Sequence, residues 1–277
     1  MLSGIATFRR NRLIGLSAAV VLCLLVVAAA SASLWVPHDP TAMAPADRLS
    51  GPSGEYWFGT DNFGRDIFSR VVFGGRVSLI VGLSVAALAT VFGAVAGLLA
   101  GYFRRVDDVL MRVVDGLMAF PSIILALALV AALGGSLTNV IIALAATTWP
   151  IMTRVVRSST LQLRELQFVE AAVATGTNKV DILVRHILPN ALTPIIVQAT
   201  FIFAEAVLAE AALSFLGLGI KPPTPTWGNI LGESRSYLTI APWYSIFPGF
   251  AIVLTVLSLN IFGDMLRDIM DPHSGRR

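Results

Sequence analysis

The chain has 277 residues, of which 56% are hydrophobic and 13% charged, and its formal net charge is +3. Soluble domains carry about 25% charged residues, so a water-exposed globule of this composition would leave too much apolar surface facing solvent. The chain is therefore read as membrane-embedded, and its one cysteine, Cys23 in an apolar run, excludes a disulfide framework or a cysteine metal site. The basic residues form no single stripe, which sets nucleic-acid binding aside.

A helix needs roughly 20 mostly apolar residues to cross the bilayer core. Leu13–Trp35 is the first uncharged run. Arg9-Arg10-Asn11-Arg12 before it and Ala30-Ser31-Ala32 at its end are similar to a secretory signal. The apolar run exceeds the ~7–15 residues of a signal core, so an uncleaved anchor is expected. The segment Pro37–Arg76 follows, rich in Pro, Gly and Asp, and reads as a loop. Its alternating acids and arginines fit two readings: a solvated, salt-bridged loop, or a surface that contacts a ligand or a binding protein.

Val77–Phe103 is the second uncharged run. Ala89, Gly93, Gly97 and Gly101 recur every four residues along it, placing small side chains on one face as a helix-packing seam. Gly116–Thr153 is about twice the length of a span, and Gly134, Gly135, Ser136, Thr138 and Asn139 mark a turn near its middle, which predicts a hairpin of two spans. Ala191–Leu213 is a fifth span interrupted by Glu205 and Glu210, and Ile240–Gly263 is a sixth. The expected fold is all-α and polytopic, with six transmembrane helices. Most of the 20 basic residues fall on one side if both termini are cytoplasmic, the side that Lys and Arg favour.

The longest inner segment, Arg154–Pro189, differs from the rest. Leu163, Leu166, Val169, Ala172 and Val173 form a helical apolar stripe, and Gly176 is placed to end that helix. Thr177 or Asn178 would cap a second helix with its own stripe of Val180, Leu183, Val184 and Ile187, ended before the next span by Pro189. Glu170, Lys179, Asp181 and Arg185 would be available to a soluble partner.

Glu170-Ala171-Ala172, Gly176 six positions later and Leu188-Pro189 resemble the EAA loop of ATP-binding-cassette importer permeases. Arg185-His186-Ile187-Leu188-Pro189-Asn190 resembles the dipeptide, oligopeptide and nickel branch, since the wider family often has an aliphatic residue at His186. Gly59-Thr60-Asp61 with Gly64-Arg65-Asp66, and Leu213–Gly219 with Pro222-Pro223 and Thr226-Trp227-Gly228, extend the resemblance along the chain.

The resemblance implies a type I importer permease fold in the inner membrane. Residues 1–76 would hold the tail, first span and outer loop, and residues 77–277 the permease domain with coupling loop 154–189. It further implies that Glu170, Ala171, Ala172, Gly176, Asp181, Arg185, His186 and Pro189 couple the chain to cytoplasmic ATPase subunits. A second, similar permease would enclose the route, and an extracytoplasmic protein would deliver the solute. ATP would be bound by the partner subunits.

No Gly-x-x-x-x-Gly-Lys-Ser/Thr loop, His-Glu-x-x-His pair or Gly-x-Ser-x-Gly elbow occurs, so no enzymatic activity is expected of the chain itself. His38 and His273 lack partners at ligand spacing, and no metal is expected. Glu205 stands as either a lining of the solute route or the partner of a basic residue on another helix, whereas Glu210 is expected to reach the membrane interface. The alternative to an ATP-driven importer is an ion-coupled transporter, which would need its own ion site near the midplane.

Overall fold

The computed structural model describes residues 2–270, with side chains from residue 13 onward. His273, Arg276 and Arg277 lie outside the described residues. Eleven α-helices account for most of the backbone: α1 Leu2–Ala30, α2 Ala32–Trp35, α3 Ile67–Tyr102, α4 Arg104–Met118, α5 Ser122–Leu133, α6 Leu137–Leu163, α7 Gln167–Ala174, α8 Lys179–Asp181, α9 Leu188–Phe215, α10 Trp227–Ser234 and α11 Trp243–Met270. Among the described residues there is no strand, only a single bridge between Thr60 and Asp66.

Among the described residues five helices are long and apolar enough to cross a membrane, and a sixth crossing exists if α4 and α5 count together. Those two helices meet at 86° around Ala119–Pro121. Residues before proline avoid the α region, which explains a break at Phe120-Pro121 that an unbroken apolar run conceals. The third predicted span is therefore a bent pair and not one straight helix: α5 is about 18 Å long, and α4 meets it at 86°. The predicted turn at Gly134–Asn139 is present, with Gly134 at φ 89° and Ser136 capping α6 by accepting from the Asn139 N–H at 3.2 Å.

Two further boundaries differ from expectation. Helix α3 begins at Ile67, so the last three turns assigned to the outer loop are helical. Asp66 starts it by accepting from the Phe68 and Ser69 amides. The second inner helix is not separate either: helical backbone runs from Lys179 through a π-helical stretch, Ile182–Ile187, into α9. Pro189 removes one amide donor without stopping the helix, and the Asn190 side chain donates to the neighbouring His186 carbonyl at 2.7 Å.

Helix α3 packs against α6 and α9, α9 against α11, and α1 against α11 and α3. The seam read from the sequence lies between α3 and α6. A Cβ on Gly93 would come within 2.5 Å of Met152 Cβ, one on Gly97 within 2.6 Å of Val156 Cβ, and one on Gly101 within 2.5 Å of Thr160 Cβ. Only glycine lets the two backbones lie this close. The main core gathers around Val85, Ala89, Met152, Val156 and Ile202. A second cluster, with Ile67, Trp227, Ile230 and Tyr244, fills the opposite end from the inner loop.

Candidate functional site

Two regions concentrate the polar chemistry. The first is the foot formed by residues 164–187. Helix α6 ends at Leu163, and the chain turns back through α7. Helix α7 ends in a paired cap: Thr177 N–H donates to the Ala172 carbonyl and Gly176 N–H to the Val173 carbonyl, each at 3.0 Å. The cap requires Gly176 to adopt φ 77°, which side chains oppose. Asn178 then caps α8 by accepting from Val180 N–H at 3.3 Å.

Val169 and Ala172 of α7 pack on Ile182, Leu183 and Ile187, joining the foot to the main core. Leu163 is half-buried against the same core, whereas Leu166, Val173, Val180 and Val184 of the two stripes remain exposed together with Phe168. Glu170 and Ala171 are exposed beside them. Asp181 and Arg185 form an exposed pair at 3.3 Å, His186 is half-buried, and Pro189 is exposed.

The foot is braced from the membrane side. Arg157 donates to both oxygens of Asp107 at 2.5 and 2.7 Å, Arg154 donates to Asp115 at 2.6 Å, and Arg164 donates to the Gly101 carbonyl at 2.9 Å. Asp107 and Asp115 thus fasten α4 to α6.

The second region lies within the bundle, about 25 Å along α9 from the foot. Glu205 is exposed at the edge of a cavity of about 20 Å³ shared with Ser122, Thr147 and Thr148. Among the described residues no cation pairs with it, so the basic partner of one of its two readings is not seen there. Glu210 does not reach the interface. It is fully buried, accepting from Ser78 at 2.8 Å and Ser214 at 2.7 Å. The two acids do face different ways, as five-residue spacing on a helix requires.

The outer segment departs from the solvated reading. Asp61, Arg65 and Arg70 are buried and meet Glu233 of α10 and Tyr244 of α11. His38 Nδ1 lies 3.5 Å from Asp66. Glu233 and Tyr244 went unnoticed in the sequence; a lone acid in the Trp227–Ser234 stretch was the one available signal. Among the described residues no group of three or more His, Cys, Asp or Glu is placed to hold a metal.

A model of the family described as "Binding-protein-dependent transport system inner membrane component" matches residues 67–276. The chain belongs to that family. Similar proteins are named as permeases: the dipeptide transport system permease protein of Alkalihalophilus pseudofirmus is 49% identical, covering 91% of this chain and 84% of that relative. The glutathione transport system permease protein of Pectobacterium atrosepticum is 43% identical, covering 94% and 87%. A chain from inward-facing structures of the MetNI methionine ABC transporter shares the fold, with a TM-score of 0.56 at 21% identity, over 74% of this chain and 98% of that one. The family fits the helical bundle, and the family match begins where α3 begins.

Proposed function

We propose that the chain is one permease half of an ATP-driven importer for peptides or similar small solutes in the inner membrane, driven through its foot by separate ATPase subunits that bind the ATP. The observation that carries this reading is the exposed apolar surface of the foot, with Glu170 beside it and the Gly176 turn setting its shape. Apolar side chains exposed on a short, braced helical projection favour a protein partner over water. The high identity to dipeptide and glutathione transport permeases supports the peptide-like class.

In this reading Glu170, Ala171, Ala172, Gly176, Asp181, Arg185, His186 and Pro189 form the coupling surface, and both termini lie on its side of the membrane. A second homologous permease closes the route along the side where Glu205 is exposed, and an extracytoplasmic binding protein delivers solute to the opposite face. The bracing by Arg157 and Arg164 lets movement of the foot pull on α3, α4 and α6 as one body. ATP-dependent closure of the ATPases would act by contacting one conformation of the foot better than the other.

The test is a crosslink from cysteine placed at Glu170 to the soluble ATPase co-produced with the full importer. The expected result is a crosslink whose yield changes with nucleotide. Modification of that cysteine from the external medium would overturn the proposal.

A further inference from the structure

A cavity of about 630 Å³ opens between α6, α9 and α11, with Val155, Asn190, Thr193, Gln198, Phe201 and Arg267 in its lining. Small-molecule pockets span roughly 300–1,000 Å³, so its size suits a compact solute. Two contacts place it. Gly263 of α11 abuts α9, where an added Cβ would come within 2.3 Å of the Thr200 hydroxyl oxygen. The two helices run antiparallel, since the Tyr244 end of α11 packs with Val207 and its Met270 end with Asn190. Arg267, one turn past Gly263, therefore comes level with the stretch between Thr193 and Gln198. Gln198 and Glu205 lie two turns apart on one face of α9, whereas Phe203 and Val207, on the opposite face, meet Gly82 of α3. The cavity thus lies on the side of α9 that bears Glu205, close to the foot.

The lining selects its occupant. Among the described residues Arg267 is the one charged side chain there, and it forms no ion pair. A guanidinium only donates, keeps its charge, and matches a carboxylate with two parallel N–H bonds. Asn190 commits its amide nitrogen to the His186 carbonyl at 2.7 Å, which leaves its side-chain oxygen to accept. Thr193 and Gln198 each can donate and accept. Val155 and Phe201 offer apolar surface. A cation is repelled by Arg267, and a bare anion leaves the acceptors and the apolar walls unused. A compact molecule with a carboxylate, neighbouring amide groups and apolar side chains uses them all, and the end of a short peptide is such a molecule.

We propose that this cavity is an inner-mouth binding site for the C-terminal end of a transported peptide, with Arg267 holding the carboxylate and Asn190, Thr193 and Gln198 meeting the adjoining amides. The inference rests on the permease reading above, in which the Glu205 side of α9 faces the route. A phospholipid phosphate offers Arg267 the same anionic oxygens, so the test separates the two sources.

The experiment uses the complete importer without nucleotide in phosphatidylcholine nanodiscs, carrying Val155→Cys in a Cys23→Ser background, and reads the rate at which a water-soluble maleimide labels this chain. The probes are the dipeptide Ala-Phe and its C-terminal amide. Ala-Phe at millimolar concentration is expected to slow labelling, and the amide is not. Arg267→Gln is expected to raise the half-protecting concentration about tenfold, the loss of roughly one charge-assisted hydrogen bond, while labelling without peptide keeps its rate. Arg267→Lys is expected to lose less. Equal protection by acid and amide overturns the site, as does no protection by either, or protection that Arg267→Gln leaves unaltered. Slower labelling in nanodiscs containing phosphatidylglycerol, with no peptide added, overturns the peptide assignment in favour of a lipid headgroup. Absence of ATP-dependent uptake by the wild-type importer in proteoliposomes would instead sink the permease reading.

Discussion

Arg70 at the start of α3 donates to Glu233 of α10 at 2.7 Å, closing a contact between residues 163 positions apart. Arg70 also donates to Asp61 at 2.5 Å, Arg65 donates to Asp61 and Glu233 at 2.6 Å each, and the Tyr244 hydroxyl donates to Glu233 at 2.7 Å. Two arginines thus face two carboxylates in a buried, charge-balanced group that ties the outer loop to α3, α10 and α11. Burying ions is costly unless each is paired, so the group is stable as a whole and fragile in its parts.

Removing one member should therefore cost more than removing a matched pair. Glu233→Gln or Arg70→Met is expected to destabilise the protein by about 3–5 kcal/mol, since each leaves a buried charge uncompensated. The double substitution should be milder than the sum. Thermal unfolding of the detergent-solubilised protein checks this; additive losses would show that the residues act independently.

The same group predicts a pH dependence. Burial works to raise the Glu233 carboxyl, but the hydrogen bond and charge of Arg70, with Tyr244 and Arg65, outweigh it and hold it below its ordinary value of 4.5. A carboxylate lowered in the folded state contributes stability that is complete above the unfolded value and is lost as pH falls through the folded one. Stability should decline below about pH 4.5. Melting curves against pH should show a shallower decline in Glu233→Gln than in the wild type.

The glycine seam makes a positional prediction. Gly97→Ala is expected to destabilise by about 1–3 kcal/mol, because the new Cβ meets Val156 and the Thr153 carbonyl in a packed interface. Gly116→Ala, where nothing lies within 4 Å, should be neutral or stabilising by up to about 1 kcal/mol through helix propensity. Equal effects at the two sites, read by thermal shift, would contradict the seam.

At Gly176 space is free and backbone angle is the constraint: nothing lies within 4 Å of an added Cβ, but φ is 77°. Gly176→Val should cost about 1–2 kcal/mol of local strain, distort the α7 cap and lower the yield of the Glu170 crosslink to the ATPase. Gly176→Asn should behave more nearly as wild type, since Asn tolerates this conformation. Full coupling in Gly176→Val would show that the shape of the turn is dispensable.

What repeats locally was legible in the sequence. Hydropathy runs announced the membrane spans, four-residue spacing announced the face of Gly93, Gly97 and Gly101, and stripe periodicity with Gly176 and Asn178 announced the foot. Such patterns are legible because a helix converts spacing along the chain directly into position around an axis. Tertiary structure alone decided the pairing of Arg70 with Glu233, the burial of Glu210 against Ser78, and the attachment of Asp107 to Arg157. These contacts join residues distant in sequence, and no local period encodes which distant acid a given arginine will meet. The bend between α4 and α5 lies between the two cases: Pro121 signalled it, but an average over an apolar run gives one proline too little weight, while backbone sterics give it enough to turn the chain by 86°.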